Sequence, residues 1–126
     1  MRYLIDANSV IYLTENLYPK LTTRVSQMEV GSIGLSAIVF AELIVGAKRG
    51  KPPRLDRLAS IAGEMPLLPF DEAAARAYGE IPFRRGSFDR LLAAHALSIG
   101  AAVVTNNPSD FADVPGLLTE NWTLPA

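Results

Sequence analysis

Short, mostly apolar runs alternate along the chain with longer segments whose apolar residues recur at helical spacing. Runs of this kind are typical of strands buried on both faces, as in parallel sheets. They cover residues 3–5, 33–35, 67–68 and 101–104, with a last strand predicted near 118–122. The alternation of strands with helices predicts a three-layer α/β fold, with helices flanking a mostly parallel central sheet.

The helices are predicted from apolar periodicity and from residues that start or stop a helix. In the third helix, Val39, Leu43 and Ala47 share one face, and Ser36 is suited to cap the first turn. Similar signals, including caps at Asn8 and Asp71, predict helices over residues 9–13, 19–29, 55–62, 73–78 and 86–100. No repeat or long linker divides the chain, so a single domain over residues 1–126 is expected.

Composition and charge narrow the classes of protein. Hydrophobic residues make up 49% of the 126 residues and charged residues 20%, as in ordered globular proteins. The formal net charge of −1 gives no global attraction to phosphate, so any RNA affinity needs a local basic patch or a metal ion. The lack of cysteine excludes disulfides and thiolate metal sites. Neither a signal peptide nor a membrane span is predicted, and a cytoplasmic protein is expected.

Four acidic residues are expected to meet at one edge of the sheet. Asp6 directly follows the first strand, and Asp110 follows the strand at 101–104. Glu42 lies on the helix after the second strand, and Asp89 lies in the first turn of a later helix. Open parallel sheets bind ligands beyond the carboxyl ends of their strands, and all four side chains are expected to project there.

Clustered carboxylates suit the hydrolysis of a phosphodiester. A hard divalent cation prefers carboxylate ligands, can activate water and can stabilise charge on phosphate oxygens. Without a cation, the carboxylates would repel one another and raise each other's pKa values. Each acid alone also has an ordinary structural interpretation, such as an ion pair of Glu42 with Lys48 or Arg49. The hypothesis of a metal site therefore rests on the convergence of all four.

Four segments, read together, resemble the PIN-domain nucleases. They are YLIDAN at 3–8, LSAIVFAEL at 35–43, FDRLLAAHAL at 88–97 and VTNNPSDF at 104–111. The last continues as VPGL at 114–117 and ENW at 120–122, which is typical of VapC, the toxin of VapBC toxin–antitoxin modules. The resemblance covers nearly the whole chain, and the four segments in this order are highly specific.

The resemblance implies an endoribonuclease that depends on Mg²⁺ or Mn²⁺. Such enzymes are usually homodimers held inactive by a VapB-type antitoxin, in a toxin–antitoxin hetero-oligomer. Asp6 and Asp89 match the family's principal metal ligands, and Glu42 matches its second acid. Asp110 matches the fourth acidic position, with Asn107 as a neighbouring polar contact. All four acids are therefore expected in the catalytic site, and the motifs leave the RNA target open.

Two features depart from the family pattern. Ala7 stands where relatives often carry a hydroxyl residue, which removes one support for Asp6. Segment 78–89 is shorter than in many relatives, and its Arg84 and Arg85 either contact RNA phosphates or form a solvated loop. The missing hydroxyl keeps open an alternative, a PIN-like module that binds RNA or protein with weak or no catalytic activity.

Other surface and core features receive structural interpretations. A second basic stretch, formed by Lys48, Arg49, Lys51 and Arg54, is interpreted as a solvated helix end. The amphipathic segments 11–25 and 55–68 are candidates for protein interfaces. His95, the one histidine, lies on an apolar helix face, so a buried and hydrogen-bonded role is predicted in place of base catalysis.

Two other classes with ligands at strand ends fit less well. A receiver-type phosphoacceptor domain needs paired acids near the first strand and a lysine after the last one, but no lysine lies beyond Lys51. A dinucleotide-binding fold needs a Gly-x-Gly-x-x-Gly turn, and the sequence has none.

Overall fold

A central parallel sheet organises the chain. The computed structural model describes residues 2–85 and 87–124, and within them the sheet has five strands in the order β3-β2-β1-β4-β5. The strands are β1 (Tyr3–Ile5), β2 (Ile33–Ser36), β3 (Leu67–Leu68), β4 (Ala102–Val104) and β5 (Thr119–Glu120). Every neighbouring pair is parallel, and Leu4 of β1 pairs with Gly34 on one side and Val103 on the other. The predicted parallel sheet is confirmed.

Helices connect and cover the strands. They are α1 (Ala7–Thr14), α2 (Pro19–Ser26), α3 (Ala37–Lys48), α4 (Leu55–Glu64), α5 (Glu72–Tyr78) and α6 (Phe88–Ile99), and a 3₁₀ turn spans Pro108–Phe111. The side chains of Ser36, Asp71 and Ser87 accept hydrogen bonds from the first turns of α3, α5 and α6. Gly100 ends α6 with φ of 68°, a left-handed conformation that favours glycine. The predicted α/β architecture is therefore confirmed.

Two helix boundaries differ from the prediction. We predicted Asn8 as the cap of α1, but Asp6 is the N-cap, because the helix begins directly after β1 with no intervening loop. Helix α2 ends at Ser26 and not near residue 29. The expected start of α6 at 86–87 is described at Ser87, while Gly86 lies outside the described residues.

The hydrophobic core lies around the central strands. Leu4, Ile5 and Val103 are fully buried, as is Leu92 on the inner face of α6. Trp122 is also buried, and its ring meets the edge of Tyr3 at a centroid distance of 4.9 Å. Burial of β1 and β4 on both faces fixes the positions at which their carboxyl ends emerge, and hence the position of Asp6. Within the described residues, no helix is long and apolar enough to cross a membrane.

Candidate active site

Asp6 stands at the carboxyl end of the central strand β1. Its backbone N–H donates to Val104 O at 3.0 Å, which joins this turn to β4. Its side chain is 8% exposed, and Oδ1 accepts a hydrogen bond of 2.8 Å from Ser9 N–H at the start of α1. This cap holds the carboxylate in one orientation. The described residues supply no hydrogen bond to the second oxygen, Oδ2, which leaves it free for a ligand.

Glu42 projects from α3 toward Asp6 and Asp89. The pKa of Glu42 is raised from its ordinary 4.5 to about 7, mainly by burial and further by the negative charges of Asp89 and Asp6. The structural alternative was an ion pair with Lys48 or Arg49. Neither pair forms, and the described residues include no cation that neutralises Glu42. Glu42 is therefore a half-buried acid whose protonated form is favoured by burial and by the negative charges around it.

Asp89 lies in the first turn of α6 and contacts the remaining acid. Burial raises its pKa above the ordinary value, and the charges of Asp110 and Asp6 and a hydrogen bond with Asp110 raise it further. The cation of Arg90 acts in the opposite direction but is the smallest of these influences. A raised pKa in a first helical turn is unusual, because the helix dipole favours a negative charge there. Burial, together with crowding by the other carboxylates, explains the raised pKa of Asp89.

Asp110 approaches Asp89 from the 3₁₀ turn after β4 and is exposed. Its Oδ2 accepts a hydrogen bond of 2.8 Å from Asn107 Nδ2. Asn107 is itself fixed, since its backbone N–H donates to Thr105 Oγ1 at 3.0 Å. The neighbour expected for Asp110 is thus Asn107, whereas Asn106 donates to the Tyr12 hydroxyl at 3.2 Å.

The structure brings the four predicted acids into one electrostatic cluster. Asp6 and Asp89 occupy its centre, because each raises the pKa of Glu42 and Asp6 also raises that of Asp89. Asp110 joins through Asp89. The four acids come from separate parts of the chain. Repulsion between their negative charges costs folding free energy unless a cation is present.

A divalent cation fits this donor set. No three acidic or imidazole groups among the described residues lie close enough to hold one ion together. Mg²⁺, however, commonly takes one or two carboxylates, keeps several water molecules and completes its shell with substrate phosphates. Asp6 and Asp89 are the pair that could hold such an ion. The mutual repulsion of the acids is the observation that supports the fit.

Comparison with known proteins identifies the family. A sequence model of the PIN domain matches residues 3–117. The "tRNA(fMet)-specific endonuclease VapC" of Shigella flexneri is 32% identical, over 98% of this chain and 99% of that protein. "Ribonuclease VapC2" of Haemophilus influenzae is 30% identical, over 97% and 98%. The chain belongs to the VapC family of PIN-domain ribonucleases.

Solved structures agree with this assignment. The VapBC2 complex of Rickettsia felis, bound to a DNA fragment from its promoter, contains a chain with a TM-score of 0.81 and 25% identity, over 97% of this chain and 99% of that one. VapBC-1 of nontypeable Haemophilus influenzae gives 0.80 and 28%, over 98% and 100%. The predicted PIN-like fold and nuclease class are confirmed, and PIN-domain ribonucleases are generally metal-dependent.

The sequence did not predict an ion pair that lies next to the acid cluster. Arg90 directly follows Asp89 in α6 and is 1% exposed. Its Nη2 donates a hydrogen bond to Asp113 Oδ2. Arg84 Nη2 donates to the same oxygen at 3.4 Å, but its side chain stays 65% exposed, and both interpretations of Arg84 and Arg85 remain predictions. Asp113 lies three residues beyond Asp110 and therefore ties the loop that carries this acid to α6. A buried arginine pairing with a distant loop leaves no local sequence signal.

His95 has the structural role predicted for it. It is 2% exposed, and Ser36 Oγ lies 2.8 Å from His95 Nδ1, within hydrogen-bonding distance. Burial lowers the pKa of the imidazole, and a ring edge-to-face with Phe70 encloses it further. The neutral ring ties α6 to the end of β2, and it takes no part in the acid cluster.

Proposed function

We propose that this chain is the endoribonuclease toxin of a VapBC-type toxin–antitoxin module and that it uses Mg²⁺ or Mn²⁺ at Asp6, Glu42, Asp89 and Asp110. The observation that carries the assignment of the site is the convergence of these acids, with the pKa of Glu42 and Asp89 raised by burial and further by the charges of their neighbours. A site with uncompensated negative charge would otherwise repel RNA. A cation converts the same site into one that binds phosphate.

The four acids have different roles in this proposal. Asp6 and Asp89 hold the cation, which when bound acts as a Lewis acid toward the phosphate and lowers the pKa of water. Glu42, half-buried beside Asp6 and Asp89, accepts a proton from the attacking water in this proposal. Asp110, which accepts a hydrogen bond from Asn107 and lies beside Asp89, orients that water or a second ligand.

Partners are inferred from relatives. Solved relatives include VapBC assemblies from Rickettsia felis and Haemophilus influenzae. We infer that this chain likewise assembles with a cognate VapB-type antitoxin, that it is inactive in this hetero-oligomer, and that it forms a homodimer. Both proteins are expected to act in the cytoplasm, where RNA substrates are available.

The central experiment measures RNA cleavage by antitoxin-free protein with Mg²⁺ or Mn²⁺ and with EDTA. We expect cleavage with the metal, none with EDTA, and a loss of at least about a hundredfold in Asp6→Asn and Asp89→Asn, the scale for removing one stabilising group at a reacting centre. Asparagine is also a good N-cap, so Asp6→Asn should fold. Asp56→Asn, an exposed acid outside the cluster, is the matched control and should cleave normally.

Two outcomes would contradict the proposal. Full cleavage by either site variant would overturn the assignment of the acids. Wild-type protein that binds Mn²⁺ by calorimetry but leaves RNA intact would favour the alternative, a PIN-like binding module without activity. Ala7 motivates that alternative, although the Ser9 N–H already supports Asp6 where a neighbouring hydroxyl is missing.

A further inference from the structure

A groove of about 300 Å³ opens directly beside the acid cluster. Residues of helix α1 and helix α3 line it, including the apolar or small residues Ile11, Leu43 and Gly46. Glu42 lies in the wall nearest the acids, so any molecule in the groove is adjacent to the proposed reaction site. We call this feature the α1–α3 groove.

Two of the residues that line the α1–α3 groove are basic. Arg49 and Lys51, which follow α3, both line it and are exposed. Neither forms an ion pair within residues 2–85 and 87–124. We interpreted this stretch from the sequence as a solvated helix end, but the fold places part of it beside the acids. In a chain of net charge −1, this pair is a local attraction for phosphate.

An exposed aromatic side chain completes the wall. Phe88, the first residue of α6, lines the groove and is 51% exposed. Phe88 directly precedes Asp89 in the chain. A group that packs against its ring is therefore close to the proposed metal ligand. Exposed aromatic rings beside basic side chains are typical of surfaces that bind single-stranded nucleic acid, because bases stack on the ring and phosphates contact the cations.

We propose that the α1–α3 groove binds a single-stranded segment of the RNA substrate next to the bond that is cleaved. One base stacks on Phe88, and two neighbouring phosphates contact Arg49 and Lys51, one each. The bases of a duplex are already stacked on each other, so the groove selects unpaired RNA. This inference rests on the proposed ribonuclease function and adds to it the groove and the residues that recognise the RNA.

The first test measures binding of a short, unstructured, fluorescent RNA to the full chain by anisotropy, with Ca²⁺ in place of the catalytic metal so that a cation offsets the charge of the acids. Phe88→Ala should weaken binding by roughly fivefold or more, as for loss of one stacked base, and Phe88→Tyr should retain it. Phe83→Ala is the matched control, because Phe83 is 71% exposed but does not line the groove. In cleavage assays, Phe88→Ala should raise KM more than it lowers kcat.

The second test uses the salt dependence of the same binding. The double variant Arg49→Gln/Lys51→Gln should reduce the slope of log affinity against log salt by about 1.4, the value for two phosphate contacts on a single strand. Lys48→Gln is the control, since Lys48 is exposed at the same helix end but does not line the groove. A duplex of the same sequence should bind more weakly and respond less to Phe88→Ala.

The results separate this inference from the proposed function. Groove variants that bind RNA like their controls, or wild-type protein that binds no RNA, would overturn the inference, even if cleavage is observed. Groove variants that lose affinity for the antitoxin but not for RNA would assign the groove to the protein partner and overturn it as well. If binding depends on the groove residues but wild-type protein with Mn²⁺ does not cleave RNA, the inference holds and the proposed function fails.

Discussion

Asp89 and Asp113 are the same kind of side chain in nearby parts of the molecule, yet their environments are opposite. Asp89 is crowded by Asp110 and Asp6, and its pKa is raised. Asp113 accepts a hydrogen bond from the buried guanidinium of Arg90, and its pKa is lowered, chiefly by that bond. The chain neutralises one carboxylate by itself and leaves the other uncompensated.

This difference separates a structural role from a functional one. A compensated ion pair stabilises the fold in which it forms, whereas a cluster of like charges weakens the fold unless a cation is bound, and such clusters are candidates for functional sites. Arg90 and Asp113 also stand behind the cluster, since they fasten the loop that carries Asp110. The Arg90–Asp113 ion pair therefore fixes the position of one acid in a cluster whose members repel one another.

The largest expected effect is an opposite change in stability when each carboxylate is neutralised. Asp113→Asn should lower Tm by several degrees, because it leaves the buried Arg90 without its counter-ion, and Arg90 Nη1 already has no partner among the described residues. Asp89→Asn should raise the Tm of metal-free protein, because it removes a repulsive charge. Thermal unfolding in EDTA measures both.

Activity should also distinguish the two variants. Asp113→Asn should lower RNA cleavage by about tenfold, as for groups that orient a metal site from behind, and Asp113→Glu should restore part of it. Asp89→Asn should nearly abolish cleavage despite its higher Tm. If both variants lost stability together, the contrast between compensated and uncompensated charge would be wrong.

A smaller effect is expected in the pH dependence of stability. Glu42 has a pKa of about 7 in the folded, metal-free protein and an ordinary value of 4.5. The stability that its proton provides is therefore full below 4.5 and is lost as the pH rises through about 7. After allowance for solvent screening at this half-buried group, the loss is about 1 kcal/mol, or roughly 4 °C in Tm.

Comparison with Glu42→Gln isolates this effect, since the variant should be less sensitive to alkaline pH. Burial lowers the pKa of His95, so both proteins weaken on the acid side and their difference is the readout. Mg²⁺ should raise the wild-type Tm more at about pH 8 than at about pH 5, because only ionised carboxylates bind it well. An equal rise at both pH values would argue against binding by these acids.

The sequence predicted features whose causes are local. Ser36 and Asp71 cap the helices that they precede, and the acids Asp6 and Asp110 follow buried strands whose carboxyl ends share an edge. The cap of α1 was misplaced, because Asn8 satisfies the same preference as Asp6 and the sequence does not show that the helix starts without a loop.

Features that depend on distant parts of the chain could not be read in this way. Arg90 and Asp113 are 23 positions apart, and no spacing rule connects a helical arginine to a loop aspartate. The basic pair Arg49 and Lys51 looked like an ordinary helix end, because its approach to Phe88 depends on the packing of α3 beside α6. Long-range packing decides both.

The smallest expected effect concerns Arg84, the second partner of Asp113. Arg84 is largely exposed and donates at 3.4 Å, whereas Arg90 is buried against the same carboxylate. Exposed ion pairs contribute little, so Arg84→Gln should change Tm by no more than about 2 °C. Arg90→Gln should lower it far more, because it removes the buried cation that Asp113 compensates. Equal losses in the two variants would show that Asp113 fastens the loop from the surface and that the burial of Arg90 is incidental.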